Sequence, residues 1–495
     1  MGVLLVTGKL AEARVKEIAA KYDCRVYVAP VDVASLLTPK QIVSNITLDE
    51  DVDSILVPGL IRGNLAILEE KIGVPVFKGP KDVADLDYVL ERRPQLELSK
   101  TTPACELLRG ELRKRALAEI TKVDSKEYIE GMLNKPGNIL VGGLAVGKSF
   151  PIRVLAEIVG IEDLSKEELL TQGRYLLASG ADMIDLGINE VNPEKVEHSI
   201  SALRELGIPI AVDTMEAENI QRALECGVDL VLSFDRELIE GFRDVVVASV
   251  VIPKRGDIPR VPEERVRLLE ENIQLARERG FQRIIADLVL QPANLGFSDS
   301  LAAYKKFSEK HKEYPVLFGA GNVTELFDAD SVGVNALLCA LAMECGASIV
   351  FSVEASDKTR GSIRELATTS KMMYISSLRG SPPKDLGFDL LILKEKRLKR
   401  NRMKLDIRKL PVKPGKGFVP DPKGYFKIFV DEKIQCVHFV DGEAMLCIEG
   451  ASAREICDTL LALDLVSTLE HALYLGRELK KAESALRYGK SYVQE

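Results

Sequence analysis

Short apolar runs alternate with amphipathic stretches over the middle of the chain, from Asn138 to about residue 393. The amphipathic stretches, such as Lys166–Leu177 and Val261–Arg279, have the three-to-four-residue spacing of helices. Eight strand–helix units predict a (β/α)8 barrel over 138–393, because an open doubly wound sheet usually has about five or six strands. The eight predicted strands end near Leu144, Asp185, Asp213, Ser233, Val251, Asp287, Gly319 and Val353.

The pattern changes on both sides of the predicted barrel. Residues 1–95 contain continuous apolar runs between helical stretches, which predicts parallel strands buried on both faces in a flavodoxin-like α/β domain. Residues 96–137 are charged and helical, and we expect a helical linker. A second linker at 394–423 is first basic (Lys394–Lys404) and then rich in Pro and Gly. In 424–495, alternating strands followed by helices predict a small α+β domain.

Composition narrows the functional classes. The chain has 495 residues, with 67 Lys and Arg against 75 Asp and Glu, four His, eight Cys and no Trp. The formal charge of −8 argues against a nucleic-acid partner. The scarcity of His and the absence of any CxxC pair argue against a resident metal site and against disulfide chemistry. No apolar run reaches the roughly 18 residues of a membrane span, and a signal-peptide pattern is lacking, so we expect a cytoplasmic protein with no membrane partner.

Polar residues follow several predicted strands. The carboxyl ends of barrel strands meet at one end of the barrel, here called the mouth, where barrel enzymes place their active sites. A carboxylate only accepts hydrogen bonds, and it matches a ligand with two parallel N–H groups, such as the amino-pyrimidinone edge of a pterin. The alternative is that strand-end Asp residues cap the helices that follow them. The candidate residues at the mouth are Asp185, Asp213, Ser233, Asp287 and Asn322.

Three segments resemble dihydropteroate synthase and the wider family of pterin-binding barrels: ADMIDLG, IPIAVDT with the following AENIQRALECGVDLVLS, and the strand that ends at Asp287. The resemblance covers Asn138–Met373. It implies that Asp213 and Asp287 hold the pterin ring, with Ser233 where the family usually has Asn. The Gly321-Asn322 pair after strand seven is closer to pterin-dependent methyltransferases that serve corrinoid proteins, which implies that Asn322 contacts the pterin.

The whole chain is similar to archaeal dihydropteroate synthase-like proteins linked to methanopterin metabolism. The resemblance implies catalytic roles for Asp213, Asp287 and Asn322, and pterin contacts for these three together with Asp185 and Ser233. We expect a homodimeric transferase that condenses a 6-hydroxymethyl-dihydropterin diphosphate with an arylamine in methanopterin or folate biosynthesis.

The chain lacks the Ser-Arg-Lys turn and the Arg-x-His of the synthases, so two other functions stay open. One is methyl transfer from a reduced pterin to a corrinoid or another acceptor, with the tail docking a protein partner. The other is a non-catalytic pterin binder or scaffold.

A departing diphosphate needs cations or Mg²⁺ at the mouth. The available cations are Lys148, Lys358 and Arg360, which we expect to bind phosphate, and Mg²⁺ stays open as an additional cofactor. Residues 142–149 also fit the P-loop pattern GxxxxGK[ST] after a strand. Pro151 would fall in the first turn of the P-loop helix, so nucleotide binding is a minor alternative.

Overall fold

The computed structural model describes residues 2–38, 41, 42, 46, 51–396, 408, 410–412 and 419–494. The chain divides into two compact units, Met1–Ala355 with Gly361–Ile392, and Ser356–Arg360 with Leu393–Glu495. Much of the predicted linker at 394–423, including Arg397–Lys404 of its basic run, lies outside the described residues. No helix of the described residues is both long and apolar enough to cross a membrane.

The first domain is a four-stranded parallel sheet with helices. The first strand of the chain lies between the second and the third, the fourth pairs with the third at an edge, and apolar side chains are buried on both faces of the sheet. Alternate residues of the first strand join different cores, because Val3 and Leu5 point to one face and Leu4 and Val6 to the other. The strands are β1 (Gly2–Thr7), β2 (Arg25–Val28), β3 (Val52–Val57) and β4 (Val76–Lys78), with helices Glu12–Lys21, Ala66–Ile72 and Leu86–Arg92.

Three helices follow in the segment predicted as a linker: Ala104–Leu107, Arg109–Lys122 and Lys126–Leu133. The segment that they form packs against an apolar core at each of its ends. Leu112 is buried with the core of the first domain, whereas Val123 is buried with Phe150 and Tyr374 beside the barrel. The segment therefore joins two apolar cores of the same compact unit.

An antiparallel hairpin precedes the barrel, formed by β5 (Ile139–Val141) and β6 (Leu144–Val146). Gly142 and Gly143 have φ of 51° and 87°, the backbone of a type I′ turn, so the chain reverses there. Val141 and Val146 are buried against interior residues of the barrel strands. The predicted first barrel strand is therefore wrong. The same geometry corrects the P-loop interpretation, because the motif lies on a hairpin and no helix follows it within residues 139–158.

Eight parallel strands close into a barrel, which confirms the predicted (β/α)8 architecture. The first strand of the barrel is RVLAEI, which closes the barrel by pairing with both the second and the eighth barrel strand. The strands are β7 (Arg153–Ile158), β8 (Met183–Gly187), β9 (Ile210–Asp213), β10 (Leu230–Phe234), β11 (Ala248–Val251), β12 (Arg283–Asp287), β13 (Val316–Gly319) and β14 (Ile349–Val353). The helices are Lys166–Ser179, Pro193–Leu203, Ala217–Glu225, Arg236–Gly241, Pro262–Glu278, Phe297–Lys310, Gly321–Thr324, Ser331–Glu344 and Ser362–Arg379.

The C-terminal unit has three antiparallel strands, β15 (Tyr425–Val430), β16 (Ile434–Val440) and β17 (Glu443–Gly450), followed by helices Ala453–Ala462 and Leu469–Tyr488. One face of the sheet packs on the helices. Asp421 fastens the start of the last helix, since its carboxylate accepts hydrogen bonds from the Ser467 and Thr468 N–H groups and from His471 Nδ1. Burial works to raise the pKa of Asp421, but hydrogen bonds from the Ser467 hydroxyl, the N–H groups of Lys423 and Ser467, and His471 hold it below its ordinary value.

Candidate functional site

Three acids meet at the mouth of the barrel, on its first three strands. In the strand register Glu157 of β7 lies opposite Asp185 of β8, and Gly187 of β8 lies opposite Asp213 of β9. A Cβ atom at Gly187 would overlap the Glu157 carboxylate, so the glycine provides the space that this side chain occupies. The carboxylates of Glu157, Asp185 and Asp213 are called the acid trio below.

The acid trio is largely buried, and no described cation acts on it. Asp185 is completely buried, and neither of its carboxylate oxygens has a hydrogen-bond partner among the described residues. Burial, then the charges of Asp213 and Glu157, raises the pKa of Asp185 well above its ordinary value. Burial and the charge of Asp213 raise the pKa of Glu157 to about 7. Because no described cation offsets these effects, burial and mutual repulsion favour protonation within the acid trio.

Ser233 orients Asp213. Its hydroxyl donates a hydrogen bond of 2.7 Å to Asp213 Oδ1. This bond opposes the burial that raises the pKa of Asp213. Ser233 has φ of 65°, an uncommon backbone conformation for a residue with a side chain, and the β10–β11 register shifts beside it. Asp213 and Ser233, both predicted to contact the pterin, therefore lie in contact with each other.

Asp287 ends β12 in a similarly constrained turn. Its Oδ1 accepts a hydrogen bond of 2.8 Å from the N–H of Val289 and another from the hydroxyl of Tyr304, which is completely buried. Burial raises the pKa of Asp287 to about 6, against the effect of the Tyr304 bond. Val289 has φ of 59°, which is strained for a β-branched residue. One oxygen of Asp287 is thus held by the protein, and no described protein donor contacts Oδ2.

A buried arginine connects the loops after β11 and β12. Arg265 is 1% exposed, and its guanidinium donates to the carbonyl oxygens of Pro259 at 2.7 Å and Val289 at 3.1 Å. Since the Val289 N–H binds Asp287, the arginine supports the turn that holds this carboxylate. Arg265 stands on the apolar stripe of its helix, four and eight residues before Leu269 and Ile273. That spacing is the sequence signal that could have identified it.

Two further polar residues at the mouth differ in their contacts. Asn322, which begins the turn after β13, is exposed, and its Nδ2 donates to the Leu290 carbonyl at 3.0 Å. The structure therefore places Asn322 against the loop that follows Asp287. Glu354, after β14, accepts from the N–H of Ile363 at 3.0 Å and from the Tyr175 hydroxyl at 2.8 Å. Glu354 thus acts as a helix cap, as the alternative explanation of strand-end acids expects.

Comparison with known proteins agrees with this architecture. The family model described as "Pterin binding enzyme" matches residues 159–352. The chain belongs to the pterin-binding enzyme family. Two other family models match its ends: "Family of unknown function (DUF6513)" at residues 2–81 and "PterinBD-DUF4346" at residues 420–495.

A curated relative matches the whole chain, and solved structures match about half of it. "Uncharacterized protein MJ0107" of Methanocaldococcus jannaschii is 40% identical over an alignment of 525 residues, gaps included, which covers 100% of this chain and 98% of that protein. Dihydropteroate synthase from Xanthomonas albilineans is 21% identical with a TM-score of 0.40, covering 50% of this chain and 100% of that one. The synthase from Thermus thermophilus is 18% identical with a TM-score of 0.38, covering 48% and 99%.

The structure places one of the predicted phosphate cations, Lys148, away from the mouth. Lys148 follows the hairpin, and its Nζ lies 3.4 Å from the carbonyl oxygen of Ser308, near the end of a helix that leads into β13. A Cβ atom at Gly346, just before β14, would lie 3.0 Å from the same Nζ. Lys148 therefore lies at the amino ends of the strands, opposite the acid trio, so the structure does not bring it to the mouth, where the sequence predicts a phosphate contact. Lys358 and Arg360 fall in the second compact unit, and their role stays a prediction.

We expect Lys148→Met to leave the affinity for a reduced pterin within about twofold of the wild type, since the lysine lies at the other end of the barrel. Fluorescence titration with 6-hydroxymethyl-7,8-dihydropterin measures this affinity. Lys254→Met, at the mouth, is the matched control. A loss of more than about tenfold in the Lys148 variant would return this lysine to the binding site.

The structure adds mouth residues that the sequence patterns did not identify. They are the acid Glu157, the buried pair Arg265 and Tyr304, and the cations Lys254, Arg255 and Arg260 on the loop after β11. Lys254 Nζ lies 3.3 Å from Asp235 Oδ2, while Arg255 and Arg260 are exposed. In the part of the chain that the structure describes, no group of three or more His, Cys, Asp or Glu is placed to hold a metal ion.

Proposed function

We propose that the barrel binds a reduced pterin at its mouth, with Asp213 and Asp287 receiving the N–H groups of the ring. The observation that carries this proposal is the cluster of buried acids at the mouth: Asp185 has no hydrogen-bond partner, and no described cation acts on Glu157, Asp185 or Asp213. A neutral ligand that brings N–H donors satisfies such oxygens, whereas an anion at the same place would be repelled. The amino-pyrimidinone edge of a pterin offers these donors.

The contacts around the two acids support a fixed orientation of the ring. Ser233 holds one oxygen of Asp213, and Tyr304 with the Val289 N–H holds one oxygen of Asp287. Each carboxylate is therefore oriented before a ligand arrives, which lowers the entropic cost of binding. Asn322 lies against the loop after β12 and adds an amide beside Asp287.

The reaction that we propose first is condensation of a 6-hydroxymethyl-dihydropterin diphosphate with an arylamine. The amine nitrogen forms a bond to the exocyclic carbon, the bond from this carbon to the diphosphate oxygen breaks, and the amine loses a proton. The departing diphosphate needs positive charge. Arg255 and Arg260 on the loop after β11 supply it at the mouth without contact with the acid trio.

Methyl transfer from a reduced pterin is the second candidate, and the acid trio favours it. The ring nitrogen that loses a methyl group needs a proton, and acids whose pKa values are raised by burial can provide one. This reaction needs no cations for a leaving group, so the anionic centre of the mouth would not oppose it.

Purified full-length protein separates these functions. We expect an adduct of pterin and arylamine when the protein is incubated with 6-hydroxymethyl-7,8-dihydropterin diphosphate and 4-aminobenzoate, detected by mass spectrometry. Demethylation of a 5-methyl-tetrahydropterin with cob(I)alamin, followed by absorbance, would instead support methyl transfer. Tight pterin binding without either product would identify a non-catalytic binder, and no binding at all would overturn the proposal.

A further inference from the structure

Glu157 has no part in holding the pterin as proposed so far. It is the next-to-last residue of β7, and its neighbours in the sheet are Asp185 on one side and Val353 on the other. Its carboxylate occupies the space above Gly187. Gly187 lies opposite Asp213, the last residue of β9, in the strand register. Glu157, in a strand that is buried along most of its length, therefore lies beside the carboxylate that we assign to the ring.

The groups that face Glu157 are acids. Asp185 approaches it from β8 and Asp213 from β9. On β14 the residue opposite Glu157 is the apolar Val353. The nearby acid Glu354 accepts hydrogen bonds from the Ile363 N–H and the Tyr175 hydroxyl. These two partners belong to the helices that pack behind β7, and no described cation from either helix acts on Glu157. An added negative charge in the acid trio can be balanced only by a proton.

We propose that Glu157 takes up a proton when a reduced pterin binds and keeps it beside the ring, so that Asp213 stays ionised against the pterin N–H groups. This inference rests on the proposed function and adds a proton-holding role to the same site. Glu157 acts through Asp213 and is a positioning residue in that sense. The N–H donors of the ring stabilise the ionised form of Asp213, and the ring excludes water, so the repulsion between the two acids grows on binding.

Proton uptake gives pterin binding a defined pH dependence. The pKa of Glu157 is raised to about 7 in the free protein, and binding raises it further. Affinity therefore falls as the pH rises above about 7, with a limit of tenfold per pH unit for one proton. Asp287 acts in the opposite sense, since its pKa of about 6 falls when it accepts N–H groups, and affinity rises with pH up to that value. The expected profile is bell-shaped.

Calorimetry with 7,8-dihydropterin tests the proposal on the full chain. Titrations between pH 5 and pH 9, each in two buffers of different ionisation enthalpy, count the protons taken up. We expect uptake by the wild type above pH 7, and we expect Glu157→Gln to bind the pterin with no uptake and a flat profile above that pH. Asp287→Asn is the contrasting variant: it should bind the pterin more weakly, lose the rising limb and keep the falling one.

The outcomes distinguish this proposal from the proposed function. Absence of pterin binding at every pH overturns the function itself. Binding without proton uptake in the wild type, or uptake that persists in Glu157→Gln, overturns the role of Glu157 and leaves the pterin site intact. Should Glu157→Gln not fold, Glu157→Asp decides the question: a falling limb with a displaced midpoint supports the proposal, and an unmoved midpoint contradicts it.

Discussion

Replacement of Asp213 with asparagine is expected to remove most of the affinity for a reduced pterin. A hydrogen bond to a charged acceptor contributes about 1.5–3 kcal/mol, so the loss of two such bonds weakens binding by about a hundredfold or more. Asparagine worsens the loss when its NH₂ group faces the N–H groups of the ring, because two donors then oppose each other. The chain contains no Trp, so pterin fluorescence can be titrated without overlapping tryptophan emission.

Asp235→Asn is the matched control for this variant. Asp235 also follows a barrel strand, but its Oδ1 accepts a hydrogen bond of 3.0 Å from the Leu238 N–H and caps the helix Arg236–Gly241. Asparagine is as good a cap as aspartate, and the ion pair that it weakens joins Asp235 to the partly exposed Lys254 and not to the acid trio, so this variant should fold and bind pterin normally. Equal affinities of the Asp213 and Asp235 variants would contradict the assignment of the pterin ring to Asp213.

Replacement of Asp185 with asparagine is expected to stabilise the protein, by about 1–3 kcal/mol, because it removes a buried acid whose oxygens have no donors. The gain depends on pH. The folded chain holds the proton of Asp185 more tightly than the unfolded chain, since its pKa is raised. The free energy of unfolding therefore falls as pH rises above the ordinary Asp pKa of about 4, and the advantage of asparagine grows from pH 5 to pH 8.

Urea unfolding followed by circular dichroism measures this difference, and Asp182→Asn provides the contrast at the start of the same strand. Asp182 lies just before β8, accepts a hydrogen bond of 2.8 Å from the Val154 N–H and lies 3.4 Å from Arg153 Nη1. Its replacement weakens an ion pair of a buried arginine, so it should destabilise the protein. A destabilised Asp185→Asn at pH 8 would show that the unpaired acid is not under strain in the free protein.

The sequence predicted the acids that end a regular strand, and it missed those whose strand was misplaced. Asp213 and Asp287 follow apolar runs, and parallel strands bring such ends together whatever the details of packing. The apolar pattern at 138–144 predicts the first barrel strand in the wrong place, so the sequence does not point to Glu157. The Gly142-Gly143 pair turns that run into a hairpin, and the barrel begins with RVLAEI.

Residues that act from a distance were harder to predict. Tyr304 reaches Asp287 from the following helix, and the rotation of that helix against the sheet decides which side chain points to the acid. Sequence spacing gives the buried face of a helix but not the partner of each residue on it. Lys148 is the opposite case: its segment matches the P-loop pattern, but the lysine lies at the amino ends of the barrel strands.

The closure of the barrel through β7 sets the limits of any fragment that could fold alone. The segment matched by the pterin-binding family model, residues 159–352, begins after β7 and ends inside β14. A fragment trimmed to that segment would have seven strands and two open edges, which favour aggregation. It would also lose Glu157 and the hairpin whose valines fill the amino end of the barrel. The unit of homology is thus shorter than the unit of folding, and an excised barrel should start no later than Asn138.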